Sequence, residues 1–294
     1  MGYGLVFACL AAFLWGVAPI LQKRALRDVG LLEMNALRGL GILAAFIPAY
    51  FFLRASVLLP RAEFYGILMI VALINNLIGD IFAFIAIRHI GASLAVPVTS
   101  SYPLLIALIS WLWFGETLSF GVLTGTLIVV AGLVLLNLRG ATTAAPRSCL
   151  RGLTAATAAA LCWAFGLSLN KYLTLRGLTP TAIIYWRGIW FSLMALGNWG
   201  IFRALRPATT RSPRDIPPIG ALAGALSGLM SLVVGTWCYT VSITLIPMSV
   251  ATPIGAVSPL LTALGACIFM GESLRPVQWL GIFFMVAGAV MVGS

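Results

Sequence analysis

A chain of 294 residues with 61% hydrophobic and 9% charged side chains, at a mean hydropathy of +1.07, carries more apolar surface than a soluble globule of that length can bury. The bilayer is therefore its solvent. The net charge of +11 does not argue for nucleic acid, because the basic residues stand singly at the ends of apolar runs and form no patch.

A spanning helix needs about 20 apolar residues. Runs of that kind are predicted at Tyr3 to Leu21, Leu31 to Leu53, Phe64 to Ile87, Ala92 to Phe114 and Ser119 to Leu138, then at Gly152 to Leu173, Pro180 to Phe202, Pro217 to Ile243, Met248 to Met270 and Pro276 to Gly293. Their continuity excludes an alternating-strand barrel. The first run is expected to remain as helix one, since Lys23, Arg24 and Arg27 follow it and no small-x-small site leads into a soluble domain. Met1-Gly2 is no myristoylation site, with Val6 where Ser or Thr is wanted. Cys9, Cys162, Cys238 and Cys267 fall inside predicted helices and Cys149 between them; with no CxxC pair and His89 as the sole histidine, neither a disulfide nor a metal site nor a cofactor is expected.

The chain is duplicated. Gly79, Pro97, Pro103, Gly115, Glu116, Gly125 and Gly132 return 156 residues later as Gly235, Pro253, Pro259, Gly271, Glu272, Gly281 and Gly288. Trp15 to Lys23 answers Trp163 to Lys171, and Arg38-Gly39 answers Arg187-Gly188. This divides the protein into a first five-helix repeat (1–138), a linker (139–151) and a second repeat (152–294). An odd number of helices per copy inverts the second copy relative to the first. The expected fold is an all-α integral membrane protein of ten transmembrane helices, two inverted five-helix repeats around a central cavity, related by an axis in the membrane plane. Loops one, three, five, seven and nine hold about twelve Lys and Arg and the even loops about four, which by the positive-inside rule puts the odd loops in the cytoplasm and the termini outside.

Helix three carries Asn75, Asn76 and Asp80 at helical spacing on one polar face. A carboxylate there must face protein or water. Arg38 lies at the same depth on helix two, so an Arg38–Asp80 ion pair is geometrically available. The second copy has Thr236 in place of Asp80 yet keeps Arg187, whose planar fork suits a substrate carboxylate or else reaches backbone carbonyls. Pro97 and Pro103 bracket Thr99, Ser100, Ser101 and Tyr102, and Pro253 and Pro259 bracket Gly255 and Ser258. These prolines kink helices four and nine, as gating or binding elements or as packing kinks satisfied by Ser and Thr. Trp15, Tyr102, Trp163, Trp186, Trp237 and Tyr239 are candidates for an aromatic wall, and Ser231 lies on the small-residue face of helix eight. Glu116 and Glu272 are expected to cap the helices that follow them.

The Pro-x5-Pro helices followed by Gly115-Glu116-Thr117-Leu118 and Gly271-Glu272-Ser273-Leu274 turns and a Gly-rich final helix resemble the EamA-type repeat of the drug/metabolite transporter superfamily. The tryptophan near the start of each copy, the lysine eight residues on and the arginine of the second helix also fit. The resemblance implies a cavity lined mainly by helices one, three, four, six, eight and nine, cytoplasmic termini, and export of amino acids or other small metabolites. Its topology and the loop charges disagree. With no phosphate cradle for ATP and no nucleophile beside a base, the expected protein is a secondary transporter and not an enzyme. It is expected in the cell (inner) membrane as a multi-pass protein, with the lipid bilayer and a small-molecule substrate as partners and a monomer as its working form. The alternatives are an exporter of other metabolites or drugs, or a lipid-handling protein such as a flippase.

Overall fold

The computed structural model describes residues 2–53, 61–137, 146–207, 210–212, 215–270 and 274–293. Its helices are α1 (Gly2–Ala25), α2 (Leu31–Leu53), α3 (Ala62–Ile90), α4 in two pieces (Ala92–Thr99 and Tyr102–Phe114) and α5 (Phe120–Asn137). The second copy supplies α6 (Pro146–Leu175), α7 (Pro180–Leu205), α8 (Pro218–Leu245), α9 in two pieces (Met248–Gly255 and Ser258–Met270) and α10 (Pro276–Gly293). Among the described residues nine helices are long and apolar enough to cross a membrane. The helix outside that set is α7, whose 26 residues give ample length but whose Arg187, Tyr185 and tryptophans lower its hydropathy. It starts as its sequence dictates: Thr179 Oγ1 accepts from Ala182 N at 3.1 Å, with Pro180 in the first turn. Helix α6 begins at Pro146, inside the predicted linker. Gly271, Glu272 and Ser273 lie outside the described residues.

The loops gather on two faces. On the odd-loop face Glu33 Oε1 accepts from Arg211 N at 2.9 Å, the Arg211 guanidinium reaches Asp28 O, and Gly152 abuts Ile90. On the even-loop face Ser242 Oγ donates to Gly4 O at 2.8 Å, and Glu116 meets the start of α9. The start of α1 therefore sits beside the end of α8.

Packing exchanges elements between the copies. Helix α1 packs on α8 and α9, and α6 packs in the corresponding way on α3 and α4, while α2 pairs with α7 and α5 with α10. Each first helix thus serves the other repeat. Glycines allow the closest approaches: a Cβ on Gly288 would lie 2.6 Å from Gly125 O, and one on Gly228 2.8 Å from Arg38 Cα. The largest buried cluster joins both copies, from Ala8 and Ala11 of α1 to Ala164 of α6 and Tyr239 of α8.

Two irregularities repeat at matching positions. Ala72–Ile78 in α3 and Leu229–Gly235 in α8 are π-helical. Helices α4 and α9 break at 100–101 and 256–257, each beginning three residues past its proline, Pro97 and Pro253. The first break is satisfied locally, with Thr99 Oγ1 donating to Val96 O at 3.0 Å and Ser101 Oγ to Val98 O at 2.7 Å.

Candidate functional site

A cavity of about 350 Å³ lies where the π-helical turns, the α4 and α9 breaks and the first helix of each copy converge. Its rim includes Leu26 and Leu31, at the end of α1 and the start of α2, so it opens toward the odd-loop face. Trp15, Asn75, Asp80, Tyr102, Trp163, Ser231 and Ser258 line it, together with Gln22, Asn35, Arg38, Ser100 and Thr236.

The wall has one charged pair. Arg38 Nη1 donates to Asp80 Oδ2 at 2.9 Å and to Asn35 Oδ1 at 3.1 Å, with its guanidinium 5.8 Å from the Phe191 ring centroid. Arg38 is buried while the Asp80 side chain keeps 20% exposure, so the carboxylate is the wetter member.

The tryptophans are fixed by the opposite copy. Trp15 Nε1 donates at 3.1 Å to Ser231 O in the π turn of α8, and its indole fills the space a Cβ on Gly235 would need. Trp163 lies equally close over Gly79, and its carbonyl accepts from Asn75 Nδ2 at 3.3 Å. Tyr239 and Tyr102 stand 5.3 Å and 6.2 Å, respectively, from these two indoles, measured between ring centroids. A π turn leaves carbonyls that a regular helix would satisfy within itself, and those of α8 serve as acceptors for side chains.

Several expected wall residues sit elsewhere. Arg187, 1% exposed, donates from Nη2 to Leu232 O at 3.0 Å and does not line this cavity. Trp237 turns outward, Nε1 donating to Thr181 Oγ1 at 3.1 Å, because it packs against Phe7. Tyr239 is buried behind Trp15, its hydroxyl 2.7 Å from Thr252 Oγ1. Ser101 bonds back to its own helix, and Asn76 is buried off the lining. Pro97, Pro103, Pro253 and Pro259 lie beside the breaks and do not line it. Sequence reasoning missed Gln22 and Asn35; Asn35 had a signal, three residues before Arg38 on the same helix face.

The even-loop end is closed. Glu116 was expected to cap α5, but it caps α9 of the other repeat instead. Oε1 accepts from Met248 N at 2.8 Å, and Oε2 from Ser249 N at 3.0 Å and Ser249 Oγ at 2.8 Å. Lys171 Nζ lies 3.7 Å from the same carboxylate. Gly115, at φ 64°, turns the chain away from α4 and aims Glu116 across the repeat boundary.

Exchanged helices, paired π turns and a cavity at the repeat boundary define a two-repeat membrane transporter fold. Residues 2–138 and 150–294 each match the model of the EamA-like transporter family, and the chain belongs to that family. It is 22% identical over 298 residues to an uncharacterized transporter of Archaeoglobus fulgidus, covering 98% of this chain and 97% of the relative. A solved crystal structure superposes with a TM-score of 0.82 at 19% identity, over 99% of this chain and 96% of its own, a likeness of fold. The protein is a multi-pass membrane transporter.

Proposed function

We propose that this transporter exports small amphipathic metabolites, namely amino acids with an aromatic or hydrophobic side chain, across the cell membrane by alternating access. The observation that carries the reading is the Arg38–Asp80 pair, 2.9 Å apart in the wall of a cavity flanked by Trp15 and Trp163. A cation and an anion presented side by side are a template for a zwitterion. The substrate carboxylate takes the fork of Arg38, its ammonium takes Asp80, and its side chain lies against the indoles. One internal ion pair is then exchanged for two intermolecular ones, leaving no charge unpaired; a simple amine or acid leaves one group unmatched.

The test is transport by the purified protein in liposomes of L-tryptophan, tryptamine and indole-3-propionate, with and without a proton gradient. Export of L-tryptophan well above both single-charge analogues is expected, with the preference lost in Asp80→Asn. Equal transport of all three would overturn the zwitterion reading in favour of a broad metabolite or drug exporter. Movement of a fluorescent phospholipid with no amino-acid transport would identify a flippase.

A further inference from the structure

The duplication gives the residues of the open cavity counterparts in the other copy: Gln22 answers Asn170 and Arg38 answers Arg187. Gln22 and Arg38 face the cavity, whereas Asn170 and Arg187 are shut inside the protein. Their burial is poorly compensated. Asn170 is fully buried with neither Nδ2 nor Oδ1 hydrogen-bonded, and Arg187 has Nε and Nη1 unbonded. Buried polar groups nearly always find partners, so two such side chains at matched positions mark a region built for another, wetter conformation.

The geometry fits that conformation. Leu232 lines the open cavity and its carbonyl holds Arg187, so the two regions meet at the π turn of α8. The even-loop end above Asn170 is held by the polar cluster of Glu116, Ser249 and Lys171.

We propose that Asn170 and Arg187 form the polar wall of a second substrate chamber, opening at the even-loop face, in which Arg187 exchanges the Leu232 carbonyl for the carboxylate of an amino acid. The ligand's chemistry rests on the zwitterion reading above; the chamber itself does not. Thr236 in place of Asp80 leaves Arg187 without a competing carboxylate, so this chamber recognises the carboxylate more strongly than the ammonium.

The test uses full-length protein with Cys9, Cys149, Cys162, Cys238 and Cys267 replaced and a single cysteine at Gln22→Cys or Asn170→Cys. Modification by a methanethiosulfonate reagent is timed in detergent. The cysteine at 22 is expected to react readily and that at 170 slowly. Adding Glu116→Gln, or the milder Ser249→Ala, releases the even-loop end and raises the rate at 170 about tenfold while lowering that at 22. Unchanged rates, or rates that rise together, overturn the chamber. In the released background L-tryptophan should protect the cysteine at 170 and tryptamine should not, with protection lost in Arg187→Gln. Opposed rate changes without that protection retain the chamber and overturn its amino-acid ligand.

Discussion

Arg38 is held on several sides by Asp80, Asn35, the Phe191 ring and the backbone crossing at Gly228. Asp80→Asn removes its counter-ion and should lower stability by about 1–3 kcal/mol, because a buried guanidinium is left partly unpaired. The double change Arg38→Met, Asp80→Leu should recover most of that loss in thermal unfolding, and additive losses would show that the two do not act as a pair. Trp15→Phe keeps the ring but loses the bond to Ser231 O; it should cost about 1 kcal/mol of stability or substrate binding, read as a melting shift or a rise in the apparent substrate constant. The Arg38–Asp80 juxtaposition was legible in the sequence because two charges at equal depth on neighbouring helices have few other partners. For Arg187 a backbone carbonyl was one of two partners the sequence offered, but not which one, since no residue pattern announced the π turn that frees Leu232 O. Glu116 was misassigned because a local capping rule selects the next helix in sequence, whereas tertiary exchange brings the start of α9 closer.

At the scale of helices, composition and duplication together read out nearly every boundary, and the prolines marked both breaks. What they did not reveal is how the helices cross. The contact of α5 with α10 depends on backbone meeting backbone at Gly125 and Gly288. Gly288→Ala should therefore destabilise by about 1–3 kcal/mol through overpacking, measured as a drop in melting temperature in detergent. Gly66→Ala on α3, where an added Cβ meets nothing within 4 Å, is the neutral control. Gly79→Ala displaces Trp163 and should impair transport more than stability, since the indole borders the cavity.

For the molecule as a whole, the exchanged packing separates a part that must move from one that need not. Helices α5 and α10 pair along their lengths away from the cavity lining, with Thr124 Oγ1 3.6 Å from Met291 Sδ. A short bifunctional thiol cross-linker between Thr124→Cys and Met291→Cys should leave transport intact. The same reagent between Glu116→Cys and Ser249→Cys should abolish it by locking the even-loop end. Equal inhibition by both links would mean that the halves do not pivot past the α5–α10 pair.

The bond from Trp15 to Ser231 spans 216 residues of chain. During synthesis α1 therefore enters the membrane long before α8 and α9, its principal neighbours, exist. Through that interval it must survive as a lone helix in lipid, and its composition allows it: over Gly2–Ala25 the charges are confined to Lys23 and Arg24 in the last turn. Helix α6 meets α3 and α4 already waiting, so the two copies, alike in structure, mature by different routes. A nascent chain stopped before α8 should expose a cysteine placed at Leu5 to thiol reagents, and completion of α8 and α9 should shield it against the core shared with Ile243 and Ile246.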